Sequence, residues 1–143
     1  MEVLYKFAED NDILTIFGAL FHKKAFSVVV DDICAIVIDC SKFDRMRDMR
    51  RVYAEEIGHC ITHSFYPLWY CCDPMKQSNI AKAERRALDA SYELQVPLHK
   101  LQNAIKKCSD DYEIAEQLDV DMDVLREAVT YYHSKGLLNE GNQ

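Results

Sequence analysis

Residues 44–63 constrain the fold of this chain more than any other stretch. Met46, Met49, Val52 or Tyr53, Ile57 and Cys60 or Ile61 recur every three or four residues, which is the period of an α-helix with one buried face. On such a helix Glu55 and His59 stand four residues apart, so their side chains project the same way and can grip one ion. Glu56 lies beside that stripe. Ser41 or Asp44 is expected to cap the start of the helix, and Ser64 through Pro67 to end it. Downstream, Glu84-x-x-Ala87-x-x-Ala90-x-x-x-Leu94-x-x-Pro97 carries small residues at helical spacing. Small residues allow a second helix to approach closely, which would bring Glu84 up to Glu55 and His59.

Ala54-Glu55-Glu56-Ile57-Gly58-His59 differs by one residue from an H-E-x-x-H zinc helix. In that pattern the two outer residues bind the metal, and the Glu after the first ligand moves protons instead. Glu56 occupies the position of that base. A carboxylate at Glu55 makes the ligand set one imidazole and two carboxylates, harder and more negative than the usual one. Zinc accepts such a set, but its selectivity over manganese or iron(II) shrinks, and the ion becomes a poorer Lewis acid. The competing reading keeps Glu55 out of metal binding and pairs it with an arginine such as Arg51 or Arg85.

Taken together, E-I-G-H, E-x-x-A and Leu-x-x-Pro resemble the ImmA/IrrE type of metallo-endopeptidase, and the likeness runs over residues 5 to 135. Tyr5 to Ile16 looks like the family's opening helix and strand, and Ala25 to Asp39 like its hairpin. Arg50 to His59 looks like its metal helix and Tyr112 to Gly136 like its C-terminal helices. The resemblance implies metal ligands at Glu55, His59 and Glu84, with Glu56 as the catalytic base. It implies a divalent cofactor, zinc first, with manganese or iron as alternatives. The implied partner is a protein substrate, a helix-turn-helix transcriptional regulator of a phage or mobile element, cut to derepress its genes. The alternative function is a catalytically inactive, metallopeptidase-like module that binds the same kind of partner.

His63 continues the stripe four residues beyond His59 and is a substitute ligand for the missing imidazole, although Cys60 then stands where a base is needed. A surface or supporting histidine is the blander reading. Cys60-x-x-His63 and the vicinal Cys71-Cys72 could supply a structural zinc knot, but neighbouring cysteines rarely point at one tetrahedral centre and no C-x-x-C spacing occurs, so reduced, buried thiols are expected. With only four glycines and no glycine-rich phosphate loop, nucleotide-binding chemistry drops out.

The net charge of −7 argues against general binding to phosphate backbones. Arg45, Arg47, Arg50 and Arg51 alternate with acids around a helix and read as a solvated face. Tyr112 to Arg126 reads as helix-turn-helix, but its second helix carries Asp123 and Glu127 and few cations, which suits packing better than a major groove. No membrane association is expected, since the longest apolar run falls far below the roughly 20 residues that span a bilayer, and no leader is recognisable. The expected location is the cytoplasm.

One α+β domain over 1–143 is expected: a helix and a small antiparallel β-sheet in 1–40, the zincin-like metal-site helices in 41–97, and C-terminal helices in 98–143. Within it the pattern predicts a helix at 2–9, a strand at Ile13 to Gly18, and a hairpin of Phe26 to Val30 with Cys34 to Ile38 turning at Asp31-Asp32. Helices follow at 44–63, 78–95, 98–107, 110–118 and 122–135. The loop Phe65 to Gln77 carries Trp69 and Tyr70, which can close over a cleft or pack on the sheet.

Overall fold

A computed structural model describes residues 1–66, the backbone of 74–138 and the side chains of 76–138. The fold is α+β: α1 (Glu2–Asp10), β1 (Leu14–Phe17), β2 (Ala25–Val30), β3 (Ile33–Ile38), α2 (Met46–Thr62), α3 (Pro74–Gln95), α4 (Leu98–Lys107), α5 (Asp111–Leu118) and α6 (Met122–Ser134). Two compact units divide the chain, Met1–Ser91 and Tyr92–Gln143, and α3 runs from the first into the second.

In the first unit, β3 takes the centre of a three-stranded sheet in the order β1-β3-β2. Its sequence Ile-Cys-Ala-Ile-Val-Ile is apolar throughout, so it gains most from being hydrogen-bonded on both edges and covered on one face. β2 pairs with it antiparallel, as the hairpin pattern predicts. Asp31 and Asp32 make the turn with φ of 51° and 63°. Two successive left-handed residues are the requirement of a two-residue type I′ hairpin, and aspartate tolerates that conformation better than most residues.

β1 corrects the expectation of an antiparallel sheet. It lies on the far edge of β3 and runs parallel to it, Leu14 beside Ala35 and Phe17 beside Ile38, so the sheet is mixed. The chain between β1 and β2 provides the reason. Residues 18–24 return across the end of the sheet, and Asp39 anchors that return by accepting from the Leu20 amide at 2.9 Å and from Ser41 Oγ at 2.6 Å. These bonds, the Leu20 amide foremost, hold the Asp39 carboxyl below its ordinary value.

One face of the sheet carries the helices. Ile36 and Ile38 are fully buried beneath α2, along with its Tyr53 and Ile57. The Tyr53 hydroxyl shares a hydrogen bond with Thr15 Oγ1 of β1, while the Tyr53 ring meets Tyr5 of α1 edge-on at 5.1 Å. Leu4 and Ala8, one turn apart, form the buried stripe of α1.

α2 matches the predicted helix, but its cap does not match either candidate. Arg45 is the N-cap, without a side-chain capping bond. Ser41 instead belongs to the Asp39 turn. Arg45 clasps Asp48 of the first turn at 2.6 Å, placing the acid where the helix dipole favours it. A second correction concerns the cysteines: Cys34 and Cys60, expected as thiols, form a disulfide tying β3 to the last turn of α2, with Cα atoms 5.9 Å apart. Their positions fall on facing surfaces of strand and helix, which no sequence spacing reveals. Cys40 and Cys108 are free, and Cys71 and Cys72 lie outside the described residues.

The second unit is helical. Asp110 caps α5 by accepting from the Glu113 amide, Glu113 accepts from the Ser109 amide, and Asp119 closes the helix in the left-handed conformation. Val124, Leu125, Ala128, Tyr131 and Tyr132 form the buried stripe of α6. Tyr132 donates to the Val96 carbonyl at 2.8 Å, and burial pushes its phenol up to about 12. Tyr92 and Tyr131 donate to Glu127 and Glu93. α4, α5 and α6 match the predicted helices 98–107, 110–118 and 122–135 to within a residue.

Candidate functional site

Two helices of the first unit make the site, and a glycine sets their distance. A Cβ built on Gly58 would lie 2.2 Å from the Ala87 carbonyl oxygen and 3.2 Å from its Cα. The two backbones therefore touch with no side chain between them, as the small residues of α3 anticipate. Gly58 is next to His59, and Ala87 stands three residues after Glu84, so this contact brings the two functional groups opposite each other.

His59 Nε2 faces Glu84 Oε2 at 3.6 Å. Two ligands on one tetrahedral zinc, each about 2.1 Å from the ion, stand about 3.4 Å apart, so this spacing suits a shared cation. The other ring nitrogen of His59, Nδ1, is 2.9 Å from the Ser64 carbonyl oxygen. A carbonyl only accepts, so Nδ1 carries a proton, and in the neutral ring the Nε2 lone pair is turned toward the carboxylate. Two electron-rich atoms face each other there, an arrangement stabilised by a cation or a proton between them. Tyr66 donates to the Glu84 carboxylate through Oε1 and orients it.

Glu55, one turn before His59, is engaged differently. Its Oε1 lies 3.4 Å from Arg51 Nε, a helical i,i+4 pair that is about one-third exposed. Burial pushes the Glu55 carboxyl above its ordinary value, while Arg51 and His59 pull it back and Glu56 adds to the rise. Arg85, the other pairing candidate, binds Asp89 at 2.9 Å. Among the described residues no three His, Cys, Asp or Glu side chains converge as a metal-holding group. The described geometry thus unites His59 with Glu84, and Glu55 sits beside them held by an arginine. Glu56 is half-buried on the adjoining flank of α2.

His63 leaves the stripe altogether. It is the C-cap of α2, exposed, with φ 50° and ψ 37°, because the helix ends at Thr62. Trp69 and Tyr70, the expected cleft aromatics, lie outside the described residues.

Sequence reasoning missed three contributors. Gly58 is a residue that costs stability inside a helix unless something needs its missing side chain, and that cost is the signal for it. Ser64 contributes a backbone carbonyl, which carries no sequence signature. Tyr66 follows the helix end by four residues, and nothing in the pattern links it to Glu84. In comparisons with known proteins, no protein family, no curated protein and no solved structure matches this chain.

Proposed function

We propose that this chain is a metal-dependent endopeptidase with a zincin-like site and a variant E-E-x-x-H motif, resembling the ImmA/IrrE type. His59 and Glu84 are its ligands, joined by Glu55 when that carboxylate exchanges Arg51 for the ion. The observation that carries the reading is the His59 Nε2 to Glu84 Oε2 approach, with Nδ1 already committed to Ser64. The exchange is feasible because the pair is long at 3.4 Å and partly exposed, and helical i,i+4 ion pairs contribute only about 0.3–0.5 kcal/mol.

When bound, the ion, zinc by preference with manganese or iron as alternatives, would supply Lewis-acid polarisation of the scissile carbonyl. The chain's own residues do the rest. Glu56 takes the proton from the attacking water and delivers it to the leaving amine. Tyr66 fixes the Glu84 carboxylate. An edge strand of the sheet accepts the substrate as an added strand. A helix-turn-helix regulator of a phage or mobile element is the proposed substrate. DNA binding by α5 and α6 is not part of the proposal, given the acids on α6.

The Glu55–Arg51 pair favours the second reading, a module that binds such a regulator without cutting it. Metal analysis of protein purified without chelator separates the two. Stoichiometric zinc, manganese or iron, lost in His59→Ala and Glu84→Ala, is expected. Glu56→Gln should keep the metal and lose proteolysis by at least about 100-fold. Metal-free protein, or undiminished cleavage in Glu56→Gln, would leave the binding module.

A further inference from the structure

The sheet has a second face, and the register shows what lies on it. Leu14, Ala35 and Val28 share one row, Ile16, Val37 and Phe26 the next, and Ile33 and Val30 the last. Thr15 and Cys34, on the alternate rows, point to α2, so these eight residues point the other way. None is polar. Leu14 is 53% exposed, Val30 59% and Ile33 55%. A solvated sheet face ordinarily alternates in polar residues, and an uninterrupted apolar one marks an interaction surface.

The ends of this face carry opposite charge. At the hairpin end, where β1 begins, stand the exposed Asp10, Asp12, Asp31 and Asp32. At the far end the segment between β1 and β2 carries the exposed Lys23, and the Lys42 ammonium joins it on the Phe21 and Lys23 carbonyls, while Lys24 lays its ammonium over the Phe43 ring. We infer that the face binds a second copy of this chain, sheet against sheet, about a two-fold axis perpendicular to the strands. That axis reverses one copy, so each acidic end meets a basic end, and the same patch serves both partners. The other sheet-on-sheet two-fold, parallel to the strands, sets acid on acid in a chain that already carries a net charge of −7, so charge complementarity selects the reversed pair.

Three strands about 4.8 Å apart and about 20 Å long make a small face. That is well under the about 800 Å² per partner of a standard interface, so the dimer is weak and its balance is concentration-dependent.

Sedimentation equilibrium of the intact chain, from about 1 µM to about 1 mM, tests this across the range where such small interfaces assemble. A reversible dimer is expected. Val28→Lys should weaken it at least about tenfold by burying an unpaired charge, with the circular dichroism spectrum unchanged. Lys23→Glu with Lys24→Glu should weaken it about tenfold at low salt and less at high salt. Both positions are exposed, but Lys24→Glu also loses the Phe43 contact, so Lys23→Glu alone, which should weaken the dimer in the same direction, separates the charge effect from any loss of fold. Adding Asp31→Asn and Asp32→Asn, which keep the left-handed turn, should recover part of that loss. A monomer at every concentration would overturn the inference and leave the face to an unlike partner. A dimer indifferent to Val28→Lys, or strengthened by Lys23→Glu with Lys24→Glu, would overturn it equally.

Discussion

Single atoms decide much of this protein. Asp39, 5% exposed, stays ionised because its oxygens are saturated by the Leu20 and Ser41 amides and the Ser41 hydroxyl. Its depressed folded value means that it adds stability above the unfolded carboxylate value of about 3.9, and that this is lost as pH falls through the folded value. Asp39→Asn should therefore lower the urea midpoint at pH 7, and the gap from the native chain should close as the pH is taken down toward 3. A gap that does not change with pH would assign Asp39 a purely geometric role. Of the candidate site residues, the shared face of Glu55 and His59 was legible because spacing along one helix is a sequence property, whereas the approach of Glu84 from α3 depends on packing. The Arg51 contact of Glu55 was legible only as one of two alternatives, since Arg51 and Arg85 both stand within reach and only packing chooses between them.

Among the elements, the meeting of α2 and α3 shows how propensity yields to contact. Alanine in place of Gly58 gains about 1 kcal/mol of helix propensity. The new Cβ meets a backbone carbonyl at 2.2 Å, which cannot rotate away as a side chain would, so the helices must separate. Gly58→Ala is expected to destabilise the protein by about 1–2 kcal/mol net in urea titration, and to weaken any metal binding by moving Glu84 off His59. An unchanged midpoint would mean that the helices do not touch there. The helices themselves follow from periodicity and turn residues, as α4 to α6 show, whereas the parallel placement of β1 did not. A four-residue strand is equally content on either edge of β3 by pattern alone, and the Asp39-anchored return of residues 18–24 is a tertiary feature.

For the molecule as a whole, the cystine between β3 and α2 closes a loop of 26 residues, which by chain entropy stabilises the fold by about 3.5 kcal/mol. Adding a phosphine reductant should lower the thermal midpoint of the native chain, and the Cys34→Ser, Cys60→Ser pair should show the lower midpoint with no response to reductant. Equal midpoints with and without reductant in the native chain would mean that the thiols are unpaired. No described helix is long and apolar enough to cross a membrane. The α+β character and the two helices of the site also belong to what composition and patterning specify across the chain.

By itself, then, the order of residues determined the helices, the hairpin with its two-aspartate turn, and which side chains of α2 share a face, because 3.6- and two-residue periods are written locally. Tertiary structure alone decided that Glu84 reaches His59, that Ser64 holds the imidazole, that Cys34 meets Cys60, and that β3 lies between β1 and β2. Each depends on surfaces far apart in sequence being pressed together, and the energy that selects them belongs to the packed pair rather than to either segment.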